Sequence, residues 1–498
     1  MREPTSDDRP FAVVDIGSNS GRMIVFRLRD DEHLDVLEDA RASLRLAREL
    51  RDDDVLGPEA IARAVEALHD FKAVADGAGA TRIIAVATSA VREASDGADL
   101  VAGARSIGVP LEVIDAGLEA QLGFLGAVHD LPVAAGVTMD VGGGSVELTR
   151  FEDRRPGPSW SVPFGSLRAS DRFLDHDPPT DKEMGRLRHA LTDALDDAGV
   201  SELHKHEDLV GIGGTVRNLA KVDLRRTAAE MPLLHGYELT ARRLAGIIDD
   251  LAERSMKRRA LVPGLNPDRA DTIVGGAIVV HRIMGHVGAR RLIVSSRGIR
   301  EGLALDSFGR EVPPASWVRT ISVATLARRF ATWDAESAER RTAIATKVFD
   351  VLDATSPSSV REMLTHAAAL VDVGRAIDYY DRFEHAAMIV LTADLAGFSH
   401  ADLAALATIL RDAGDDSSGG RLVDEQDRAV VERAAATLAL ADDLHRRIPK
   451  DAPAEVGCAW TGDGFEVRAP VPAGWRPRAV ADRFAAAVGR PLRIVAAD

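Results

Sequence analysis

Two segments of the chain each place an aspartate, glycines and a serine directly after an apolar strand pattern. They are FAVVDIGSNSGRMIVFRL, residues 11–28, and VTMDVGGGSVELTRF, residues 137–151. An overlay of the two segments matches Asp15 with Asp140, Gly17 with Gly142, and Ser20 approximately with Ser145. Each copy continues into a second alternating strand, which is typical of a β-hairpin. The duplication predicts two similar half-domains.

The residue types in these turns suit a phosphate and a cation. Glycine has no Cβ, so backbone N–H groups can converge on phosphate oxygens, and the aspartate can face a metal ion. An isolated Asp-x-Gly turn is equally explained as a tight chain reversal with positive φ. Because the turn occurs twice, we favour the interpretation as a binding site.

Three further stretches carry side chains that could act on a phosphorylated ligand. DLVGIGGTVRNLAK, residues 208–221, predicts a strand, a Gly-Gly turn at Gly213 and Gly214, and a helix whose first amides favour an anion. Arg92 follows a strand end, where open α/β sheets bind ligands, and Glu119 begins a helix. Each stretch alone also fits an ordinary connection, a solvated arginine or a glutamate that favours the helix dipole.

The composition limits the classes of partner. The 498 residues carry a formal net charge of −16 and contain one cysteine, Cys458. This charge disfavours nucleic acid or an anionic membrane as a partner, and a polyanionic substrate would need a local basic groove. The cysteine content excludes an internal disulfide framework and is typical of a reducing compartment. We find no signal sequence and no apolar run of about 20 residues, so the sequence predicts a cytoplasmic protein outside the membrane.

The pattern of elements changes once along the chain. Strand and helix signals alternate from residue 11 to about residue 305, which predicts an α/β half. From GREVPPASW, residues 309–317, to about residue 450, Ala- and Leu-rich helical spacing predicts an all-α domain. The last residues, 451–498, are predicted to form a small α/β cap.

Seven segments of the α/β half occur in an order that resembles the exopolyphosphatase/guanosine pentaphosphate phosphohydrolase (Ppx/GppA) family of the actin-like ATPase superfamily. They are VDIGSNS (14–20), ATSAVRE (87–93), GLEAQLGF (117–124), MDVGGGSVEL (139–148), PFGSLRASDRF (163–173), GIGGTVRNLA (211–220) and SSRGIREGL (295–303). The resemblance implies duplicated actin-like (ribonuclease H-like) lobes at 1–125 and 126–310. Residues 369–400 resemble a helical domain related to HD phosphohydrolases, which implies a degenerate HD-like domain at 311–450.

The resemblance implies a site between the two lobes. Glu119 would be the general base and Arg92 would neutralise charge. Magnesium would face three carboxylates: Asp15, Asp140 and Glu147. Together with the glycine turns described above, the resemblance assigns phosphate binding to Ser18, Asn19, Ser20, Gly143, Gly144, Ser145, Gly213, Gly214 and Thr215.

Some positions depart from the family pattern. Leu118 replaces the first of two paired glutamates, and Arg297 stands where many relatives carry aspartate. In the helical domain, Val371 precedes Asp372 and Ser337 stands near the place of an earlier histidine, so we expect no metal there. His385 is then expected to be a packed or surface histidine, and the domain is expected to extend the substrate groove or to mediate homodimerisation.

The predicted function is magnesium-dependent hydrolysis of the terminal phosphate of polyphosphate, of guanosine pentaphosphate (pppGpp), or of both. The alternatives are an ATP-using kinase or chaperone on the same fold, or a non-catalytic sensor of these anions. Glu119 together with Arg92 favours hydrolysis over a kinase, and the complete set of carboxylates disfavours a sensor. The basic residues considered for a polyanion groove are Arg168, Arg172, Lys257, Arg258, Arg259, Arg340 and Arg341.

Overall fold

The computed structural model describes residues 9–29, 33–50, 54–227, 231, 233–414 and 422–497. These residues form two compact units, which divide between Val318 and Arg319, and Met231 and Leu233 belong to the second unit. The first unit contains two β-sheets with their helices, and the second unit is mostly helical. Among the described residues, no helix is both long and apolar enough to cross a membrane.

The first part of unit 1, which we call lobe I, is built on a five-stranded sheet in the order β3-β2-β1-β4-β5. Strands β1 to β3 are antiparallel neighbours, whereas β4 and β5 continue the sheet in parallel. The elements are β1 (Phe11–Ile16), β2 (Ser20–Leu28), β3 (Leu34–Ser43), α1 (Leu46–Glu49), α2 (Pro58–Gly77), β4 (Ile83–Ala87), α3 (Ser89–Glu93), α4 (Gly97–Ser106), β5 (Leu111–Val113) and α5 (Ala116–Val128).

The second part, lobe II, repeats this plan and adds one edge strand. Its sheet has the order β10-β11-β9-β6-β7-β8, and β6 to β8 again form an antiparallel meander. The elements are β6 (Gly136–Val141), β7 (Val146–Glu152), β8 (Arg155–Val162), α6 (Ser166–Phe173), α7 (Asp181–Asp197), β9 (Asp208–Ile212), α8 (Gly213–Arg226), β10 (Tyr237–Thr240), α9 (Ala241–Ala252), α10 (Met256–Arg259), α11 (Ile273–His286), β11 (Arg291–Val294) and α12 (Ile299–Asp306). The two predicted hairpins are confirmed as β1–β2 and β6–β7.

Helix α12 packs against lobe I, although it lies in the segment predicted as lobe II. Its Leu303 and Leu305 share a buried cluster with Phe11 and Phe26 of the first sheet. It also lies directly against α5, because a Cβ on Gly302 would come within 1.9 Å of the carbonyl oxygen of Leu122. This close crossing fixes α5, and the predicted boundary at 125/126 falls inside that helix.

Unit 2 has one core shared by its helices and its small sheet. Phe465 and Phe484 belong to the same buried cluster as Phe349 and Leu438 of the helices, so the predicted cap does not have a core of its own. The elements are α13 (Ala315–Arg328), which spans the unit boundary, α14 (Ala335–Leu352), α15 (Ser358–Leu370), α16 (Arg382–Thr392), α17 (His400–Ala413), α18 (Glu425–His445), β12 (Gly457–Thr461), β13 (Gly464–Ala469), α19 (Arg478–Val488) and β14 (Leu492–Ala496).

Candidate active site

A cavity of about 120 Å³ lies between lobes I and II, and we call it the lobe cavity. The turn after β1 and the turn after β6 both line it. The two turns are in contact, because Gly143 and Gly144 lie against Ser18, and the Ser18 hydroxyl is 2.6 Å from the Ser89 hydroxyl at the start of α3. The duplicated turns therefore meet face to face across the two lobes.

Two aspartates enter the lobe cavity from equivalent strand positions. Asp15 is opposite Arg22 in the β1–β2 ladder, and Asp140 is opposite Glu147 in the β6–β7 ladder. Burial raises the pKa of Asp15 to about 6, although the charges of nearby arginines oppose the shift. Burial, followed by repulsion from Glu147, raises the pKa of Asp140 to about 7. The pair in lobe II is therefore a buried carboxylate pair that a cation would stabilise.

Glu147, the second member of this pair, is buried. Its Oε1 accepts a hydrogen bond of 3.2 Å from the Ser161 hydroxyl, and the Ser145 hydroxyl also hydrogen-bonds to it. Burial raises the pKa of Glu147 despite these two donors. The donors fix the orientation of the carboxylate toward the lobe cavity.

Glu119 approaches the same carboxylates from α5. Asp115 caps this helix by accepting a hydrogen bond of 2.8 Å from the Leu118 amide, which sets Glu119 in the first turn. Arg92 Nη1 donates to Glu119 Oε2 at 2.9 Å and to the Ile114 carbonyl at 2.8 Å. Burial and the charge of Glu147 raise the pKa of Glu119 to about 8, and Arg92 opposes that shift. Arg92 thus contacts the predicted base and is not among the residues that line the lobe cavity.

The main group that sequence analysis missed consists of arginines in the cavity wall. They are Arg22, Arg217, Arg269 and Arg300. Burial, together with repulsion from neighbouring arginines, lowers the pKa of Arg22, Arg217 and Arg269 to about 10 in each case. Several guanidinium groups that line one cavity are suited to an anion with several charged oxygens.

Gly213 brings α8 close to the aspartate of lobe II. Its φ is +92°, and a Cβ there would lie 2.6 Å from Asp140 Oδ1. The positive φ and the close approach to Asp140 both require glycine at this strand-to-helix turn. The first residues of α8 therefore border the lobe cavity directly beside Asp140.

The geometry agrees with two matches to known families. A model of the Ppx/GppA phosphatase family matches residues 24–311, and a model of Ppx/GppA phosphatase domain III matches residues 318–477. The chain belongs to the Ppx/GppA phosphatase family. Its predicted membership and fold class are confirmed, with duplicated actin-like lobes followed by a mostly helical domain III.

Individual members of the Ppx/GppA family align with about three-fifths of the chain. Exopolyphosphatase 2 of Mycobacterium tuberculosis is 33% identical over 315 residues, which are 60% of this chain and 98% of that protein. Exopolyphosphatase 1 of Mycobacterium leprae is 29% identical over 315 residues, 62% of this chain and 93% of the relative. The crystal structure of the Aquifex aeolicus family member has a TM-score of 0.53 and 25% identity, and the match covers 60% of this chain and 97% of that one.

The structure brings most of the predicted site residues of this family member to one place. The predicted residues that line the lobe cavity are Asp15, Ser18, Asn19, Ser20, Glu119, Asp140, Gly143, Ser145, Glu147, Gly213 and Gly214. Gly144 instead packs between Ser18 and Ser89, and Thr215 is buried against Gly276. The roles assigned to these residues stay predictions.

Some candidates for a basic groove are wrong because their guanidinium groups are used inside the protein. Arg341 is 1% exposed and pairs with Asp372 at 2.6 Å and with Asp442 at 3.1 Å. Arg259 is buried and pairs with Asp177. Arg340 donates to backbone carbonyls after α18. These three arginines stabilise the fold and do not face an outside ligand.

The remaining candidates are accessible to different degrees. Arg168 pairs with Glu93 at 2.5 Å, whereas Arg172 is exposed beside the ring of Phe173. Lys257 and Arg258 are exposed on α10. Only Lys257, Arg258 and Arg172 of the original set thus keep exposed charges without an ion pair among the described residues.

The aspartate that the HD resemblance singled out in unit 2 has a structural partner. Asp372 is buried and its carboxylate pairs with the Arg341 guanidinium at 2.6 Å, so it already has a cationic partner. His385 lies near Asp378 and Asp381, with possible ligand atoms within 4.8 Å of one another. Asp378 accepts hydrogen bonds from the Tyr380 and Asp381 amides, so that group has a local structural role. The expected absence of a metal in this domain stays a prediction.

Proposed function

We propose that the protein hydrolyses phosphoanhydride bonds in the lobe cavity and releases orthophosphate from the end of inorganic polyphosphate. The observation that carries this proposal is the lining of the cavity, in which arginines and glycine turns are gathered with the carboxylates of Asp15, Glu119, Asp140 and Glu147. The named mycobacterial relatives support the same substrate class, because both are called exopolyphosphatases.

The size of the lobe cavity supports a chain end as the reacting group. Its volume of about 120 Å³ is well below the roughly 300–1,000 Å³ typical of sites that enclose a drug-sized ligand. The enclosed space therefore fits terminal phosphate groups better than a whole nucleotide. Guanosine pentaphosphate, which the sequence resemblance also implies, ends in a similar phosphoanhydride and belongs in the test below.

The carboxylates of the lobe cavity offer the type of ligand atom that Mg²⁺ prefers, and this ion usually keeps several of its waters. Asp15, Asp140 and Glu147 line the cavity and offer hard carboxylate oxygens, and burial raises the pKa of all three. We propose that these three residues hold the ion. When bound, Mg²⁺ would neutralise charge on the phosphate oxygens.

The other steps use side chains of the protein itself. The Ser18 and Ser145 turns and the first amides of α8 would bind the terminal phosphate oxygens, while Arg22 and Arg217 would compensate their charge. Glu119 in its ionised form would accept a proton from water as the water oxygen bonds to the terminal phosphorus. The bridging P–O bond breaks, and the shortened chain leaves with its electron pair.

The role of Arg92 follows from its contact with Glu119. It favours the ionised carboxylate, which the base requires, and it fixes the side chain by a second hydrogen bond to Ile114. We therefore propose Arg92 as a positioning residue for the base. This differs from direct neutralisation of the substrate charge, which the sequence resemblance implied.

The experiment compares phosphate release from long polyphosphate, tripolyphosphate, pppGpp and ATP in the presence of Mg²⁺. We expect release from long polyphosphate and tripolyphosphate to exceed release from ATP. Binding of polyphosphate without release would instead support a sensor. ATP-dependent phosphorylation of another molecule, without polyphosphate hydrolysis, would support a kinase.

A further inference from the structure

A second opening lies in lobe II, at the end of α8 that is distant from the lobe cavity. This opening has a volume of about 340 Å³, and we call it the α8 groove. Its wall has an apolar part formed by Leu261, Val262 and Pro263. Its charged part consists of Arg225, Arg226, Arg254, Arg258 and Asp250.

Two chain segments run side by side from the lobe cavity to the α8 groove. The first is α8, which has Arg217 at the cavity and Arg225 at the groove. The second extends from Arg269 at the cavity back to Leu261 at the groove. The Asn266 amide donates to Asn218 Oδ1 at 2.8 Å, which joins the two segments between their ends. Gly264 also packs against the Lys221 carbonyl, so the segments are in direct contact there.

The spacing of charges on α8 connects the two openings. Arg217, Lys221 and Arg225 are four residues apart and therefore lie on one face of the helix. At about 1.5 Å per residue, the three positions span roughly 12 Å along the axis. Lys221 is exposed in the middle of this row, whereas Arg217 is half-buried in the cavity wall.

The α8 groove has an excess of positive charge in a strongly acidic protein. Asp250 pairs with Arg226, and with Arg254 at 2.7 Å. In the part of the chain that the structure describes, no carboxylate pairs with Arg225, Arg258 or Lys221. Four arginines against one aspartate favour a polyanionic occupant.

We propose that the α8 groove binds internal phosphates of a polyphosphate chain whose end lies in the lobe cavity, and that the chain passes Lys221. This inference rests on the proposed function and adds the direction that the substrate follows. An enzyme with such a second contact holds a long chain more tightly than a short one, because only the long chain reaches Arg225 and Arg258.

The test uses the full-length double variant Arg225→Ala/Arg258→Ala. We expect its KM for long polyphosphate to rise about tenfold, whereas KM and kcat for tripolyphosphate stay within about twofold of wild type. For the long chain, the slope of log KM against log salt concentration should also fall by about one for each lost contact, by analogy with nucleic-acid phosphates. The control is Arg105→Ala/Arg290→Ala, which removes two exposed arginines elsewhere in unit 1. It should leave KM and kcat unchanged for both substrates.

The outcomes separate this inference from the proposed function. If wild-type protein releases no phosphate from either chain, the proposed function is wrong. If wild type is active and the double variant keeps its KM for long polyphosphate, the α8 groove is not on the substrate path. An equal rise of KM for long and short chains, or a change for pppGpp alone, would also overturn the proposal.

Discussion

Asp140 and Glu147 are direct neighbours across the β6–β7 ladder, at the positions that Asp15 and Arg22 occupy in the β1–β2 ladder. The duplicated hairpin thus carries a carboxylate–arginine pair in lobe I and a carboxylate–carboxylate pair in lobe II. Opposite charges stabilise the first pair, whereas like charges directly across a ladder repel each other. Repulsion from Glu147 adds to the effect of burial on the pKa of Asp140, and a cation close to this pair would oppose both effects.

The first prediction concerns the stability of metal-free protein. The pKa of Asp140 is about 7 in the folded chain, above its ordinary value of 3.8. The folded state therefore loses stability as pH rises from about 4 to about 7, where the unfolded chain ionises more readily. We expect Asp140→Asn to remove this loss and to increase the free energy of unfolding at pH 8 by at least ~1.4 kcal/mol, the value of one pKa unit.

Thermal unfolding in a metal chelator between pH 5 and pH 8 measures this effect. The Tm difference between Asp140→Asn and wild type should grow with pH, and added Mg²⁺ should stabilise wild type more than the variant. Asp193→Asn, at an exposed site, serves as the control. A Tm difference that does not change with pH would contradict the assignment of a raised pKa to Asp140.

The second prediction concerns the metal requirement for activity. Glu147→Ala removes a carboxylate proposed to hold Mg²⁺, so a higher Mg²⁺ concentration should be needed for half-maximal phosphate release. We expect an increase of about ten- to a hundredfold, as is typical when metal contacts or their supporting partners are lost. Ser161→Ala removes only a hydrogen bond to Glu147 and should cause a smaller increase. Identical Mg²⁺ titrations for wild type and Glu147→Ala would place the ion elsewhere.

The third prediction concerns the ion pairs that join the two lobes beside the first phosphate turn. Arg45 and Arg48 of lobe I both lie 2.9 Å from Asp271 of lobe II. The Arg45 amide donates to the carbonyl of Asn19, and the Ala47 amide donates to the carbonyl of Ser18. The ion pairs of Asp271 therefore hold the segment that supports the phosphate turn.

We expect Asp271→Asn to lower kcat/KM for tripolyphosphate by about tenfold, which corresponds to ~1.4 kcal/mol. Asp171→Asn is the matched control, because Asp171 contacts Arg48 alone and leaves Arg45 paired. Its effect should be several times smaller. If both substitutions lower kcat/KM equally, the cause is the loss of a surface charge. The contact that Arg45 and Arg48 share with Asp271 would then not support the phosphate turn.

Sequence analysis located the parts of the site that follow strand ends, because such turns must meet at one edge of a sheet. For this reason Asp15, Asp140 and the glycine turns lie together at the lobe cavity, as predicted from their positions. Arg22 could also have been found, since the hairpin overlay places it on Glu147. Arg269 could not, because it reaches the cavity from a short 3₁₀ turn whose position depends on tertiary packing.

The errors have a similar origin. Adjacent basic residues in a helix are usually exposed, and exposed charges are accessible to a ligand. For this reason Arg340 and Arg341 are candidates for the groove when only the sequence is considered. The structure buries Arg341 because Asp372 and Asp442 approach from other helices, and the sequence pattern contains no signal for that approach. The packing of α12 against lobe I also depends on contacts between distant parts of the chain, which local periodicity does not reveal.

The central claim is that Glu119 is the general base of a polyphosphate hydrolase, and its most direct test is phosphate release by Glu119→Gln. Glutamine keeps the shape of the side chain and a hydrogen-bonding oxygen, but it cannot accept the proton from water. We expect the rate with tripolyphosphate and Mg²⁺ to fall by about 10²–10⁴-fold, the usual range for a general base, while equilibrium binding of polyphosphate changes by less than about threefold. A variant that releases phosphate at a rate near wild type would contradict the assignment of Glu119 and the mechanism built on it.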